Sequence, residues 1–476
     1  MARPSAALAL GPLAIVALGC GASPAPRAPG APEPVVDAAS LDAWADRELA
    51  RVPSAVVGLV VGDEIVWRRG VGASDARGGP PPDPAIAMYR IGSITKVLSA
   101  LALLQLVDAG ALSLDDPLTR WVPELGAHAG AVTLRHLLTH TSGIPSGGDR
   151  SAPYWTSTPP TEEAMLRALD VPLELEPGTR ASYSNGAMAL VGVVVARAAH
   201  QSFRSYVREH VLGPLGMHAV WDREDVPPGA LAIGVAPNGE PDPPHWQLGA
   251  FEAAGGLYAS LDDLAAVARV AFGDAPSVLS ARGVAAWTTD DPLPGDHAAA
   301  WVASEVDGLP VVSHAGSTSD YSASLVVFPT RRIAAVVLTS GPDDDLPSCI
   351  ARALARAAMS GEAPTSCVPP PLDPATLRDA DALLARARAW MAAPTEEPAT
   401  EIFSAGFLAG TPQAAIDEVL ATVRERYGRC DAHEITGPGG LGMHAILQCE
   451  RGRLAAELHL DAGEPRRIDA FLLPGL

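Results

Sequence analysis

Residues 91–97 read IGSITKV, and this stretch holds the only lysine of the 476-residue chain, Lys96, three residues after Ser93. All the other members of the 34 Lys+Arg residues are arginines. A lysine that persists in such a composition suggests a property that arginine lacks. Arginine stays protonated in proteins, whereas a buried lysine loses its proton readily. Lys96 is therefore a candidate for acid–base work beside the Ser93 hydroxyl, although a leftover lysine would give the same pattern.

The apolar residues that follow Lys96 predict a helix that begins at Ser93, runs to about Asp108 and ends at Gly110. Residues three apart lie on one face of a helix, so the Ser93 and Lys96 side chains are expected to be neighbours. A helix N-terminus also favours the negative charge of a serine alkoxide. On the alternative interpretation, Ser93 is only an N-cap and Lys96 is an exposed residue of the first turn.

Predicted strands lie at both ends of a core region, and mostly helical segments lie between them. Runs rich in apolar residues predict strands over 55–61, 64–69, 310–314, 322–328 and 333–338. This order predicts an α/β (α+β) fold with one antiparallel sheet built from both ends, flanked by helices, and a helical domain inserted in the middle.

A proline-rich segment over 367–374 separates this core from a smaller C-terminal unit. Helices are predicted over 375–391 and after Thr411, which would be an N-cap before Pro412. Strand-like runs follow at 443–449, 454–460 and 467–473. The predicted division is a signal peptide, a linker, a main domain and a small α+β domain of unknown role, over 1–20, 21–36, 37–368 and 373–476.

The N-terminal residues have the features of an export signal. Arg3 supplies a weak positive charge, and the apolar stretch over 6–17 is too short to span a bilayer. Residues 17–20 read ALGC and resemble a bacterial lipobox, in which Cys20 would be lipidated. Plain secretion is the alternative. The Pro- and Ala-rich residues over 21–34 would then form a tether.

The cysteine count agrees with an oxidising compartment. If Cys20 carries lipid, four of the five cysteines remain, which is an even number. The pairing between sequence neighbours is Cys349 with Cys367 and Cys430 with Cys449, and four free buried thiols are the alternative. Zinc binding is a poorer interpretation, because no two cysteines are closely spaced.

The net charge of −21 argues against nucleic acid and against electrostatic docking on anionic lipid. The 48% hydrophobic content supports a large folded core. His136 and His140 stand four apart, as two metal ligands on a helix would, but the glutamate of an H-E-x-x-H motif is missing. We therefore predict neither a metal nor another cofactor.

Three short motifs occur in a fixed order along the chain. They are Ser93-x-x-Lys96, Tyr183-x-Asn185 and His314-x-Gly316, the last of which is followed by Ser317. Their flanks read LRHLLTHTSGI over 134–144, PLGM over 214–217 and GGLY over 255–258. With these motifs the chain resembles the serine β-lactamase and penicillin-binding-protein superfamily, and it is most similar to its class C-like branch of esterases and D-peptidases. The resemblance covers residues 41–359.

The resemblance implies a role for each motif residue. Ser93 would attack a carbonyl group and form an acyl-enzyme. Lys96 and Tyr183 would share the proton transfers, and which of them is the base stays open. Asn185 would bind a substrate carbonyl or orient Lys96. The N–H groups of Ser93 and Ser317 would form an oxyanion hole.

Two positions depart from the family pattern. His314 stands where true β-lactamases usually have the lysine that helps hold the substrate carboxylate, and a mostly neutral histidine would do this less well. Asp320 stands where this branch often has glycine, near the expected pocket rim. The departure at His314 favours esters, amides or short peptides over β-lactams, and the departure at Asp320 concerns the shape of the pocket and not the reaction class.

The predicted function is that of an exported serine hydrolase, periplasmic or in the cell envelope, that acts on an ester, an amide or a short peptide. A D-alanyl carboxypeptidase, a D-aminopeptidase or a weak β-lactamase is one alternative. A non-catalytic envelope binding protein is another, since the C-terminal unit contains no recognisable catalytic cluster. The expected partners are a small-molecule or peptide substrate and, through Cys20, the membrane, but not nucleic acid.

Overall fold

The structure is a computed structural model, and it describes residues 37–75, 77–126, 128–147, 158–241, 243, 247–289, 297–341, 345–367, 374–394, 398–411, 413–439, 442–461 and 465–473. The predicted signal peptide with Cys20, the linker over 21–36, Pro412 and the boundary over 368–373 lie outside the described residues.

The helices and strands follow one another along the whole described chain. The helices are α1 Ala38–Glu48, α2 Thr95–Asp108, α3 Leu134–Leu138, α4 Glu162–Leu169, α5 Asn185–Ala199, α6 Phe203–Val207, α7 Leu261–Ala271, α8 Ala281–Thr288, α9 Asp345–Ser360, α10 Pro374–Ala392, α11 Ala405–Gly410 and α12 Gln413–Arg426. The strands are β1 Ser54–Val61, β2 Glu64–Gly72, β3 Met88–Arg90, β4 Tyr258–Ser260, β5 His297–Ala298, β6 Trp301–Val306, β7 Leu309–Ser317, β8 Tyr321–Phe328, β9 Ile333–Ser340, β10 Cys430–Gly439, β11 Gly442–Cys449, β12 Gly452–Leu460 and β13 Ile468–Leu472.

The main sheet joins the two ends of the core domain. Within the described residues it has seven strands in the order β2-β1-β9-β8-β7-β6-β5. Strand β1 pairs antiparallel with both β2 and β9, so the N-terminal hairpin adds to strands that follow it by more than 200 residues. This confirms the predicted fold class, with a sheet built from both ends and helical segments between them.

Helices cover both faces of the sheet because the strands are apolar on both faces. Along β1, Val57 and Leu59 pack in one hydrophobic cluster with α1 and α9. Val56 and Val60, which point the other way, pack in the larger cluster with α2, α5 and α7. Strand β1 is therefore buried almost throughout, and α2, most of whose residues are buried, packs against α5 and α8.

Several elements differ from the sequence prediction. Strands β5 and β6 extend the sheet and were not predicted, because β6 is a mostly half-exposed strand with polar residues. Strand β10, with its Pro and Gly residues, lies at the edge of the C-terminal sheet and was also missed. Helix α2 begins at Thr95, and Ser93 lies just before it in a 3₁₀ turn over Gly92–Ile94.

The C-terminal residues form a small α+β unit with a hydrophobic cluster of their own. Its sheet has the strand order β10-β11-β12-β13, and α10 packs on β10. Trp390 and Phe403 contact each other edge to face in its core. The structure contains both expected disulfides, Cys349–Cys367 and Cys430–Cys449. No helix of the described residues is both long and apolar enough to cross a membrane.

Candidate active site

The turn that carries Ser93 is shaped by a close backbone contact with β7. Gly92 has a φ of +48°, and a Cβ atom there would lie 2.7 Å from the Ser317 nitrogen. A Cβ at Gly316 would lie 1.9 Å from the Ile91 carbonyl oxygen and 2.9 Å from the Ser93 nitrogen. Only glycine fits at either position, since a side chain would push the turn and the strand apart. The contact brings the main-chain nitrogens of Ser93 and Ser317 close to each other.

Helix α2 fixes Lys96 directly behind Ser93. The Lys96 Nζ atom donates to Ser93 Oγ at 2.9 Å and to the Ala254 carbonyl oxygen at 2.5 Å. The Lys96 side chain is completely buried. Burial holds the pKa of Lys96 well below its usual range, because a charged amine loses its hydration there. A neutral amine in contact with a serine hydroxyl can accept the hydroxyl proton.

The predicted residues of the second motif lie at the start of α5. The ring centroid of Tyr183 is 4.9 Å from Lys96 Nζ, and the tyrosine side chain is 43% exposed, so solvent or a substrate can reach it. Ser184 caps the helix by accepting a hydrogen bond from the Ala187 N–H at 2.9 Å. Asn185 is the first residue of α5, and its main-chain N–H donates to Ser146 Oγ at 3.1 Å.

His314 reaches the same site from β7. Its Nδ1 atom donates to the Ala315 carbonyl oxygen at 2.5 Å, and its ring centroid lies 6.4 Å from that of Tyr183. Burial lowers the pKa of His314 to about 3, because a charged imidazolium would lose its hydration there. His314 is therefore neutral at physiological pH. It cannot hold a carboxylate with a positive charge, as a lysine at this position would.

Two further histidines belong to the site, and the sequence analysis missed this role. The His140 ring lies 4.4 Å from the Tyr183 ring and 5.1 Å from the His297 ring, between centroids. His140 was considered only as a metal ligand with His136, whose Nδ1 instead accepts a hydrogen bond from the Thr133 N–H at the start of α3. The position of His140 within the THTSG stretch over 139–143 was the available signal.

The described residues contain no group of three or more His, Cys, Asp or Glu side chains that could hold a metal ion.

Asp320 differs from its expected place at the pocket rim. It is completely buried in the turn between β7 and β8, where its Oδ1 accepts a hydrogen bond from Thr318 Oγ1 at 2.8 Å. Its carbonyl oxygen also accepts hydrogen bonds from the N–H groups of Val235 and Gly341. Asp320 therefore supports the turn that follows the site and does not line the rim.

Comparison with known proteins identifies relatives by sequence. Esterase EstB of Burkholderia gladioli is 37% identical over 206 residues, which are 38% of this chain and 50% of that protein. The D-alanyl-D-alanine-carboxypeptidase/endopeptidase AmpH of Escherichia coli strain K12 is 31% identical over 196 residues, 39% of this chain and 50% of that protein. The chain spans between 50% and 66% of the length of such curated relatives.

The fold has relatives among solved structures too. The octameric penicillin-binding protein homologue from Pyrococcus abyssi superposes with a TM-score of 0.58 at 23% identity, over 93% of this chain and 91% of that chain. The family model described as Beta-lactamase matches residues 41–359, about two thirds of the chain. The chain therefore belongs to the β-lactamase family of serine hydrolases.

Proposed function

We propose that this protein is an exported hydrolase that cleaves an ester, an amide or a short peptide through an acyl-enzyme on Ser93. The observation that carries the proposal is the contact between Ser93 Oγ and the buried Lys96 Nζ at 2.9 Å. Serine is a weak nucleophile unless a base is within hydrogen-bond reach. Burial holds the pKa of Lys96 well below its usual range, which favours the unprotonated form that such a base requires.

In the proposed mechanism, Ser93 Oγ attacks the substrate carbonyl carbon while Lys96 accepts the hydroxyl proton. The negative charge that develops on the carbonyl oxygen is stabilised by the N–H groups of Ser93 and Ser317. When the tetrahedral intermediate collapses, the leaving group takes a proton through Lys96 and Tyr183, and an ester on Ser93 remains. A water molecule then gives a proton to the same pair and attacks the ester carbonyl carbon. The bond to Ser93 Oγ breaks, Oγ takes the proton back from the pair, and the acid is released.

The substrate class follows from the neutral His314. Without a positive charge on β7, a substrate carboxylate gains little there, so acyl esters and amides are preferred over β-lactams. Asn185 would bind a carbonyl group of the substrate or orient Lys96. EstB is named an esterase, which supports this choice. AmpH is named a D-alanyl-D-alanine-carboxypeptidase/endopeptidase, and a D-peptidase is therefore the second candidate function.

The proposal also includes the cellular location. Two disulfides, Cys349–Cys367 and Cys430–Cys449, fit an oxidising compartment outside the cytoplasm. The lipobox-like sequence at Cys20 would anchor the protein in the cell envelope. We place the catalytic domain at 37–368 and a separate C-terminal domain at 373–476.

A fluorophosphonate probe tests the acyl-enzyme mechanism. The wild-type protein should be labelled in a stoichiometric reaction, and Ser93→Ala should not be labelled at all. A matched control is Ser99→Ala, a serine one turn further along α2 that donates to the Ala253 carbonyl; this variant should still react. Labelling of Ser93→Ala at the wild-type rate would contradict the proposal.

A substrate panel then distinguishes the two candidate functions. p-Nitrophenyl butyrate, a cephalosporin and a D-alanyl-D-alanine peptide should be compared by kcat/KM. We expect the ester to be cleaved with the highest kcat/KM. Preference for the D-alanyl peptide would identify a D-peptidase on the same nucleophile.

A further inference from the structure

His140 contacts the chain on both sides of Tyr183 and also contacts the phenol ring. Its carbonyl oxygen accepts a hydrogen bond from the Ser182 N–H at 2.8 Å. Its Nδ1 atom accepts a second hydrogen bond, from the Ser184 N–H at 3.2 Å. Its ring lies over the Tyr183 ring at 4.4 Å, with an angle of 34° between the planes. One histidine therefore fixes the residue before Tyr183, the residue after it and the side chain itself.

The backbone of His140 is strained, and such strain collects at functional sites. Its φ is +56°, in the left-handed region, where a residue with a Cβ atom costs about 1–2 kcal/mol. Glycine or asparagine usually fills this place after a helix such as α3. A histidine that persists here, where glycine would be relaxed, indicates a use for the imidazole ring.

The hydrogen bonds of His140 define its protonation state. Nδ1 can accept from the Ser184 N–H only if it carries no proton, so the neutral ring carries its proton on Nε2. Burial holds the pKa of His140 well below its usual range, because a charged imidazolium would lose its hydration there. The side chain is 1% exposed, and Nε2 has no hydrogen-bond partner among the described residues. A buried donor without a partner costs about 1–3 kcal/mol of stability. A histidine at this position therefore has a second destabilising effect beside the backbone strain.

We propose that His140 is a positioning residue that holds the Tyr183 hydroxyl in place beside Lys96 for proton transfer during acylation. This inference rests on the proposed function and adds to it a residue that never touches the substrate's reacting atoms. Tyr183 needs such support because its own side chain is 43% exposed and lies at the mouth of the site. An exposed aromatic side chain loses rotational entropy when it must adopt one orientation. Contact with a buried, fixed ring removes most of that loss in advance.

The test is a double-mutant cycle on the full-length protein, with the rate of fluorophosphonate labelling as the measurement. His140→Phe keeps an aromatic ring but removes the Nδ1 acceptor, and it should label about 10- to 100-fold more slowly, because small misplacements of a catalytic group have effects of this size. Tyr183→Phe should label about 100-fold more slowly or worse. In the Tyr183→Phe background, His140→Phe should have almost no further effect, since there is no hydroxyl left to position.

Two more variants separate positioning from folding. His140→Asn tolerates the left-handed backbone and offers an amide oxygen near the Nδ1 position, so it should recover labelling to within about 10-fold of wild type. His200→Phe is the matched control for strain: His200 is exposed, has a φ of +55° and follows the far end of α5, about 20 Å along the helix from Asn185. It should label at the wild-type rate.

The outcomes are distinct. If His140→Phe slows labelling equally in both backgrounds, or if His140→Asn reacts as slowly as His140→Phe, the positioning role is wrong. Wild-type labelling by His140→Phe would contradict it as well. If Ser93→Ala reacts like the wild type, the proposed function fails instead, whatever His140 does.

Discussion

A lysine amine can act as a base only when it has lost its proton, and the surroundings of Lys96 favour that loss. The side chain is completely buried, and Ser93 Oγ and the Ala254 carbonyl are its hydrogen-bond partners, neither of which is an anion. A partner of opposite charge would have kept the amine protonated. The site therefore combines a short distance between Lys96 Nζ and Ser93 Oγ with a lowered pKa of the lysine.

This environment predicts the behaviour of the most conservative substitution. Lys96→Arg keeps a positive side chain, but a guanidinium stays protonated in proteins and cannot accept the Ser93 proton. We expect the rate of acylation to fall by about 1,000-fold or more, as for loss of a general base together with its geometry. The measurement is the single-turnover labelling rate, with Arg68→Lys, an exchange on the half-exposed edge strand β2, as control. Substantial activity in Lys96→Arg would mean that Lys96 is not the base.

The site is formed where several elements meet, and the sequence predicted only some of its residues. Ser93, Lys96, Tyr183 and His314 could be named from their motifs, and the structure brings all four together. His140 could not be assigned, because its contact with Tyr183 depends on how the turn after α3 meets the start of α5. Asp320 was misplaced for a similar reason, since only the fold shows that its turn is buried.

At the scale of elements, the contact between β7 and the Ser93 turn is possible only because Gly316 has no side chain. In Gly316→Ala the new Cβ would lie 1.9 Å from the Ile91 carbonyl oxygen, so the strand and the turn must move apart. The N–H of Ser317 would then leave the oxyanion hole, and we expect kcat to fall by about 100-fold or more. Gly130→Ala is the matched control, since nothing lies within 4 Å of its added Cβ. Equal kcat values for the two variants would contradict the proposed oxyanion hole.

Some strands could be predicted from a local sequence pattern, whereas others depend on pairing with distant parts of the chain. The apolar strands β1, β8 and β9 were predicted because they are buried on both faces and carry a continuous apolar signal. The strands β5, β6 and β10 were missed, since pairing with neighbouring strands is enough to hold a polar segment in a sheet. No local pattern in the chain records that pairing.

At the scale of the whole molecule, a buried neutral histidine makes stability depend on pH. The pKa of His314 is about 3 in the folded protein, against an ordinary value of 6.5 when unfolded. Between these values the unfolded chain binds a proton that the folded protein does not, so the free energy of unfolding falls as the pH falls below about 6.5. The expected slope from this residue is about 1.4 kcal/mol per pH unit.

Denaturant unfolding at pH 6.5 and pH 5.0 measures this slope. His314→Gln should lose about 2 kcal/mol less than the wild type over this interval, because the slope from one histidine is removed. His200→Gln, with an exposed side chain, should lose as much as the wild type. If the wild type and His314→Gln lose the same free energy of unfolding, folding does not lower the pKa of His314.

The segment that leaves the catalytic domain is fastened to α1 and α9. Glu48, completely buried, accepts hydrogen bonds from the Cys367 N–H at 2.7 Å and from Ser366 Oγ at 2.9 Å. The Trp44 Nε1–H donates to the Thr365 carbonyl at 3.1 Å. The disulfide between Cys349 and Cys367 closes a loop with a sequence separation of 18. Residues 365–367 are thus attached to the face of the sheet that α1 and α9 cover, opposite to the face that packs in the cluster with α2.

This attachment predicts that loss of the Cys349–Cys367 disulfide lowers the stability of the protein but not its activity. Replacing Cys349 and Cys367 together by Ser should lower the free energy of unfolding by about 3 kcal/mol, the usual effect of opening a loop of this length. The labelling rate of Ser93 at 25 °C should stay within about 2-fold of wild type, because α2 and β7 keep their contacts. Thermal unfolding and labelling of the same preparations measure both quantities. A large loss of labelling in the folded double variant would mean that the attachment on this face controls the active site across the sheet.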